Sequence, residues 1–203
     1  MHSATIAGSE LFRAVLASPL VLAIGASTAA GAAALALASR RGLRIPGMPE
    51  TRRAAYLLAA AIIAVYAVVV PAAAYYSARP GLDYGVWVDG ANVTVRFYGT
   101  ATVSFNLCNA TLNLTDTQRA LSMLSVRTNG LSDPTAGVHM GYYKTKSGAR
   151  AYVIVYEKRA PKALVARLPD GSYVIAAVPG VESLYREVSG ERPGLCGQAS
   201  SHS

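Results

Sequence analysis

"AVLASPLVLAIGASTAAGAAALALA", residues 14–38, contains no charged side chain, and neither does "AAYLLAAAIIAVYAVVVPAAAYY", residues 54–76. Each run is long enough to cross a hydrocarbon core, which needs roughly 20 helical residues. Each holds one proline, Pro19 near the start of the first and Pro71 near the end of the second, where a membrane helix tolerates it. A surface helix of a soluble protein shows a polar face, and neither run has one. The pair is therefore read as a hairpin of two transmembrane helices. The competing reading of the first run is a cleaved signal peptide, since "GASTAAG" offers small residues to a peptidase. Its apolar stretch is well beyond the roughly 7–15 residues of a signal core, and only Arg13 stands in front of it as a cation.

Between the runs lies "RRGLRIPGMPETRR", residues 40–53. Arg40, Arg41, Arg44, Arg52 and Arg53 face a single acid, Glu50, and short loops rich in Lys and Arg stay in the cytoplasm. Arginines also snorkel to headgroups on either face, but that does not explain why the first dozen residues carry only Glu10. The expected division is a short exterior N-terminus at 1–13, spans at 14–38 and 54–76, and a cytoplasmic loop at 39–53. An exterior domain at 78–190 and a tail at 191–203 complete it. This places a multi-pass protein in the cell membrane with both termini outside the cytoplasm.

Two features of the C-terminal part agree with an exterior location. Asn92, Asn109 and Asn113 each open an Asn-X-Thr acceptor site for glycosylation, a pattern used only on the translocated side. Cys108 and Cys196 are the only cysteines, and an even count outside the cytoplasm suggests a disulfide, with two unpaired thiols as the alternative. A bond between them ties the C-terminal tail back to the domain. From residue 78 onward thirteen Lys and Arg stand against nine Asp and Glu. That mild excess is not the strongly basic, aromatic-laced face of a nucleic-acid binder, and no nucleic-acid partner is expected.

The exterior part reads mainly as strands. "YGVWVDGANVTVRFYG" is two β-rich runs around Asp89-Gly90, a strong hairpin signal, and alternating Val103, Phe105 and Leu107 make a third strand. In "TDTQRALSML" the period changes, so Asp116 is expected to cap a short helix bearing Ala120, Leu121 and Leu124. "RTNGLSDPTAGVHMG" is full of breakers and is expected to be the longest loop. Strands follow in "YYKT", "RAYVIVYE" and "KALVARL", then an Asp170-Gly171 turn and "SYVIAAV". "PGVESLYREVSG" places Val181, Leu184, Tyr185 and Val188 on one helical face and ends at Gly190.

Strands in series closed by one helix make a small β-barrel or roll. The lead-in "LTDTQRALSML", the loop "RTNGLSDPTAGVHMGYYKT", the strand "AYVIVYE" and above all "ALVARLPDGSYVIAAVPGVESLYREV" resemble the bacterial pleckstrin-homology-like (PH-like) domains, many of which follow one or two membrane spans. The resemblance covers residues 113–188 and is one of pattern. It implies a fold, a PH-like barrel or roll with a C-terminal helix, and brings no catalytic signature.

Motifs for chemistry are absent: there is no H-E-x-x-H, C-x-x-C, G-x-S-x-G or G-x-x-x-x-G-K. His139 is the one histidine away from the termini. A triad would need it with an acid such as Asp133 and a serine such as Ser132 or Ser147, and the spacing selects neither serine. No metal or cofactor is expected. Lys144, Lys146, Arg150, Lys158, Arg159 and Lys162 can form a basic face for an acidic partner, a glycan or lipid headgroups, or simply solvate a sheet and guard its edges. In the first span Ala23, Ser27 and Gly31 form a small-residue row, expected to pack against the second span rather than against another molecule.

The sequence thus points to a membrane-anchored, non-enzymatic interaction module. Its partners are the bilayer and a protein or a second copy of the chain. A structural subunit of a larger membrane or envelope complex is the alternative, and a hydrolase the distant one.

Overall fold

The computed structural model describes residues 1–41 and 52–199. Arg44 and Glu50 of the arginine loop lie outside them, and of Arg52 and Arg53 only the backbone is described.

The two apolar runs form helices α2 (Pro19–Arg40) and α3 (Arg52–Ser77), both long and apolar enough to cross a membrane. Only 11% of each apolar window is buried, so these are not core helices of a soluble fold. They pack on each other through Gly25, where the Tyr66 ring fits so closely that a Cβ would lie 2.9 Å from it. The Tyr66 hydroxyl donates to the Val21 carbonyl, and Ala32, Leu35 and Ala59 bury farther along.

The first helix does not begin at residue 14. A separate amphipathic helix, α1 (Gly8–Leu16), precedes it, and the chain breaks at Ala17 and Ser18. Ser18 explains the restart: its hydroxyl accepts the Val21 N–H at 3.1 Å, an N-cap, and Pro19 occupies the first helical position, where no N–H is needed.

Residues 1–13 are not a free tail. Strand β1 (His2–Ala7) pairs antiparallel with β2 (Asp83–Asp89) in an unbroken register from His2↔Val88 to Ala7↔Asp83. With β3 (Asn92–Tyr98) and β4 (Ala101–Asn106) they form a four-stranded antiparallel sheet in the order β1-β2-β3-β4. A chain segment from before the hairpin is thus hydrogen-bonded to one from after it.

The second sheet has six strands: β5 (Thr111–Asp116), β6 (Leu124–Asp133), β7 (Val138–Thr145), β8 (Arg150–Tyr156), β9 (Lys162–Arg167) and β10 (Tyr173–Ala177). Its order is β5-β9-β10-β8-β7-β6, antiparallel except for the parallel β8–β10 pair. The expected longest loop is in fact the end of β6 and the start of β7, with only residues 134–137 between them. Its breakers are accommodated because Gly130 and Gly141 pair across β6 and β7, each with φ near +130°, where a Cβ would strike the other strand's backbone. Two register shifts in this edge pairing add twist.

The sheets face each other over one core that includes Val86, Val95 and Phe97 from the first and Met140, Ile154 and Val174 from the second. Leu11 and Val15 of α1 close it on the hairpin side. Helix α5 (Val181–Ala199) closes it along β1 and β9, burying Val181, Leu184 and Val188. Each such side chain adds about 1.5–3 kcal/mol of apolar burial. Helix α5 does not stop at Gly190. It continues past Pro193, held by the Cys108–Cys196 disulfide and by Arg192, whose guanidinium donates to the Ala110 carbonyl at 2.5 Å. A smaller cluster, with Val153, Val165 and Ile175, lies on the other face of the six-stranded sheet under Ala120 of α4 (Thr117–Ser122). Asp116 precedes α4 without capping it and pairs with Lys162 at 2.6 Å instead; Leu124 belongs to β6.

Candidate functional site

Where hairpin and sheets meet, Asp133 ends β6 with its side chain buried, 3% exposed. Its Oδ1 accepts from the Thr135 N–H at 3.0 Å, the Thr135 hydroxyl at 2.7 Å and the Ala136 N–H at 3.0 Å, and Ser18 bonds the same carboxylate. Burial pushes the carboxyl up, but these donors outweigh it and hold it below the ordinary carboxylate value. The Leu20 N–H donates to the Thr135 hydroxyl at 3.3 Å. Asp133 is therefore the pin of a joint between the start of α2 and the β6–β7 loop. It is unavailable as the acid of a triad.

Glu157 takes that place instead. Ser132 Oγ lies 2.9 Å from His139 Nδ1, His139 Nε2 lies 3.3 Å from Glu157 Oε1, and Glu157 Oε2 accepts from Gln118 Nε2 at 2.9 Å. Register explains the alignment, since Ser132 and His139 are cross-strand partners and Glu157 follows the β8 strand that pairs with β7. Burial lowers the His139 pKa more than Glu157 raises it, so the ring is neutral. One tautomer then satisfies both neighbours: Nε2–H donates to Glu157, and Nδ1 accepts the Ser132 hydroxyl proton. The three side chains stand in the order hydroxyl, imidazole, carboxylate that a nucleophile, base and acid would take. The adjoining open cleft, about 700 Å³, is lined by Glu157, Gln118 and Lys158 but by neither His139 nor Ser132. The cleft thus meets the acid end of the line. Ser147 is apart from it, in the β7–β8 turn, bonded to Thr145.

The six basic residues do not form one face. Lys158, Arg159 and Lys162 sit in and after the β8–β9 turn, and each has a partner. Lys158 donates to the Thr135 carbonyl at 2.8 Å, Arg159 pairs with Glu10 at 3.1 Å, and Lys162 with Asp116. Lys144, Lys146 and Arg150 lie at the opposite end of the sheet around the β7–β8 turn, with Lys144 directly across from Arg150. Among the described residues no carboxylate lies within ion-pair distance of these three. The Tyr152 phenol holds the Arg150 guanidinium and raises its pKa.

A groove connects that cationic corner to the end of α3. Its near hollow, about 190 Å³, is bounded by Tyr76, Arg79, Tyr98 and Thr100, with Tyr76 and Tyr98 edge to face at 6.0 Å. Its far hollow, about 680 Å³, is bounded by Thr128, Lys144 and Arg150. Asn129 and Tyr142 belong to both, and no Asp or Glu lines either. Sequence reasoning missed this groove because Arg79, Tyr98 and Tyr142 come from three distant segments.

Asn92, Asn109 and Asn113 are all exposed. Cys108 and Cys196 form the disulfide, with Cα atoms 5.5 Å apart. Ala23, Ser27 and Gly31 are exposed, and nothing lies within 4 Å of a Cβ built on Gly31, so this row is not the face that packs on α3. Gly25, Ala32 and Leu35 are that face. Among the described residues no three His, Cys, Asp or Glu side chains converge as a metal site. Comparison with protein-family models, with curated proteins and with solved structures finds no match.

Proposed function

We propose that the protein is a membrane-anchored, non-enzymatic interaction module that carries a PH-like β domain outside the cytoplasm. The observation that carries this reading is the β1–β2 pairing. With two spans between them, paired strands must share one side of the bilayer, as an even number of crossings requires. The arginine-rich loop then belongs on the cytoplasmic side. The disulfide and the exposed acceptor asparagines support an exterior domain. The Asp133–Ser18 joint fixes the domain's orientation on its anchor. The succession β9, Asp170-Gly171 turn, β10, Pro179 and α5 supports the PH-like reading, with the parallel β8–β10 pair set inside it.

The alternative, a structural subunit of a larger membrane or envelope complex, is favoured by the outward row Ala23, Ser27 and Gly31, a smooth strip free for another helix. The Ser132–His139–Glu157 line keeps a hydrolase as a distant third reading. Native mass spectrometry of the chain extracted in mild detergent from its own membranes separates the first two. A bare chain or homo-oligomer is the outcome expected of a module, and a stoichiometric companion that of a subunit. Hydrolysis abolished by His139→Gln overturns both.

A further inference from the structure

The solvent face of the four-stranded sheet leaves an indole half uncovered. Val86, Val88, Val93 and Val95 point into the core, so Trp87, Asn92, Thr94 and Arg96 point away from it. Ser3 and Thr94 stand directly beside Trp87 on the two neighbouring strands, and Ser104 continues the row. These hydroxyl side chains are too short to wall in an indole. Trp87, the only tryptophan of the chain, is therefore half-buried on a surface of small polar groups. Apolar ring area is left in water there, and a second ring lying on it would remove that area from water.

Register narrows the occupant. Asp89 and Asn92 are the last partners of β2 and β3, joined by Gly90-Ala91 with Gly90 at φ +56°, the glycine-first loop of a tight hairpin. Asn92 is thus fixed and exposed at the mouth of the turn, on the same face as Trp87 and diagonal to it. Diagonal neighbours are about 7–8 Å apart, within reach of a large side chain. Arg96 takes the other diagonal and lies over the indole, 5.5 Å from its centroid, with Nη1 donating to the Asp83 carbonyl at 3.0 Å. On the turn side the diagonal neighbour is Asn92, which opens the acceptor sequence Asn92-Val93-Thr94. The other two acceptor asparagines have no such neighbour in the strand ladders. Asn113 pairs with Val165 and has Ala163 and Arg167 on its diagonals, and Asn109 ends a short helical turn outside the ladders.

We propose that Asn92 is glycosylated and that its first sugar lies on Trp87. The donor is an oligosaccharide linked to a polyprenyl phosphate. Transfer breaks the bond from its anomeric carbon to the phosphate oxygen and joins that carbon to Asn92 Nδ2. The polyprenyl phosphate leaves with the electron pair of the broken bond, and the amide gives up one proton. The linked pyranose turns a face of C–H groups to the indole and keeps its hydroxyl groups in water. It covers Trp87 and clamps the β2–β3 hairpin, on which β1 depends for its pairing. The inference rests on the exterior placement of the domain, since transfer takes place on the translocated side.

The test compares the full chain extracted from its own membranes with the same sequence made in a host that lacks the oligosaccharide transferase. Glycopeptide mass spectrometry should find a sugar chain on the peptide that contains Asn92. Trp87 reports alone, and its emission should lie to the blue and be quenched less by acrylamide in the glycosylated chain. That chain should also melt about 2–4 °C higher, the shift that one aromatic contact makes in a chain of this size. Trp87→Ala should erase the melting difference, and Asn113→Gln should leave it. An unmodified Asn92 overturns the proposal. So does a glycan on Asn92 that leaves Trp87 emission unchanged and a melting difference that survives Trp87→Ala, which would make it a solvated glycan only. A membrane-impermeant amine reagent applied to intact cells separates the two readings. Labelling of Lys146 with Asn92 bare defeats the glycan alone, whereas an unlabelled Lys146 with Asn92 bare defeats the exterior placement as well.

Discussion

At the hairpin end of the six-stranded sheet Lys158 bonds the Thr135 carbonyl, Arg159 pairs with Glu10, and Asp133 collects its donors. At the far end Lys144 faces Arg150 across β7 and β8 with no carboxylate within ion-pair distance of either among the described residues; Tyr152 bonds Arg150, and Asp170 acts on it from farther off. The far end is held by covalent and apolar means instead, through Cys108–Cys196 and the buried Leu107. The contrast separates charge paired across the fold from charge without an ion-pair partner among the described residues. Polar groups near the joint are satisfied internally because an unmet bond there would leave a buried group without water. The cations at the far corner are exposed, so leaving them without an ion pair costs little.

The contrast can be broken most severely at the disulfide. Cys108 and Cys196 are separated by 88 residues, and replacing both by serine should cost about 4 kcal/mol, read from denaturant unfolding in detergent. Next comes Asp133→Ala. It leaves the Thr135 and Ala136 N–H groups without their acceptor and should cost about 3 kcal/mol. A loss well under 1 kcal/mol would show that the joint is not pinned there.

Acid should act on the hairpin end in two stages. The folded His139 pKa lies below the ordinary 6.5, so its contribution is complete above 6.5 and drains away as pH falls from 6.5 toward the folded value. His139→Gln should flatten that limb of a stability–pH curve. Asp133 is also depressed, and its contribution, present above the ordinary 3.8, is lost only as pH falls through its lower folded value. At the small end of the scale, Arg159→Ala removes a largely exposed pair and should change stability by no more than about 0.5 kcal/mol. Lys144→Gln should not lower the melting temperature at all, since it relieves a like-charge pair. A marked loss there would mean that the far cations serve the fold after all.

Much of this architecture was legible as pattern. Uncharged apolar runs of span length, β-rich runs around Asp89-Gly90 and Asp170-Gly171, and the spacing of Val181, Leu184 and Val188 are local signals, and the structure places the matching elements there. What escaped was written in long-range contacts. "HSATIA" is too short and too mixed to announce a strand, and it becomes one only because β2 offers an edge. Strand β6 was hidden because an exposed edge strand carries Ser, Thr, Asn and Gly, the same residues that mark loops. The acid beside His139 was sought next to it in sequence at Asp133, whereas β-sheet register supplies Glu157. The basic residues looked like one group because the chain folds back between them.

The pairing of β1 with β2 also bears on how the protein is made. During synthesis β1 leaves the ribosome before either apolar helix, and β2 only after both. The four-stranded sheet therefore cannot close until both helices have been made. On the two-span reading, a chain whose second helix fails to cross leaves the two strands on opposite sides with their edges bare. On that reading, closure of the sheet depends on both crossings being made.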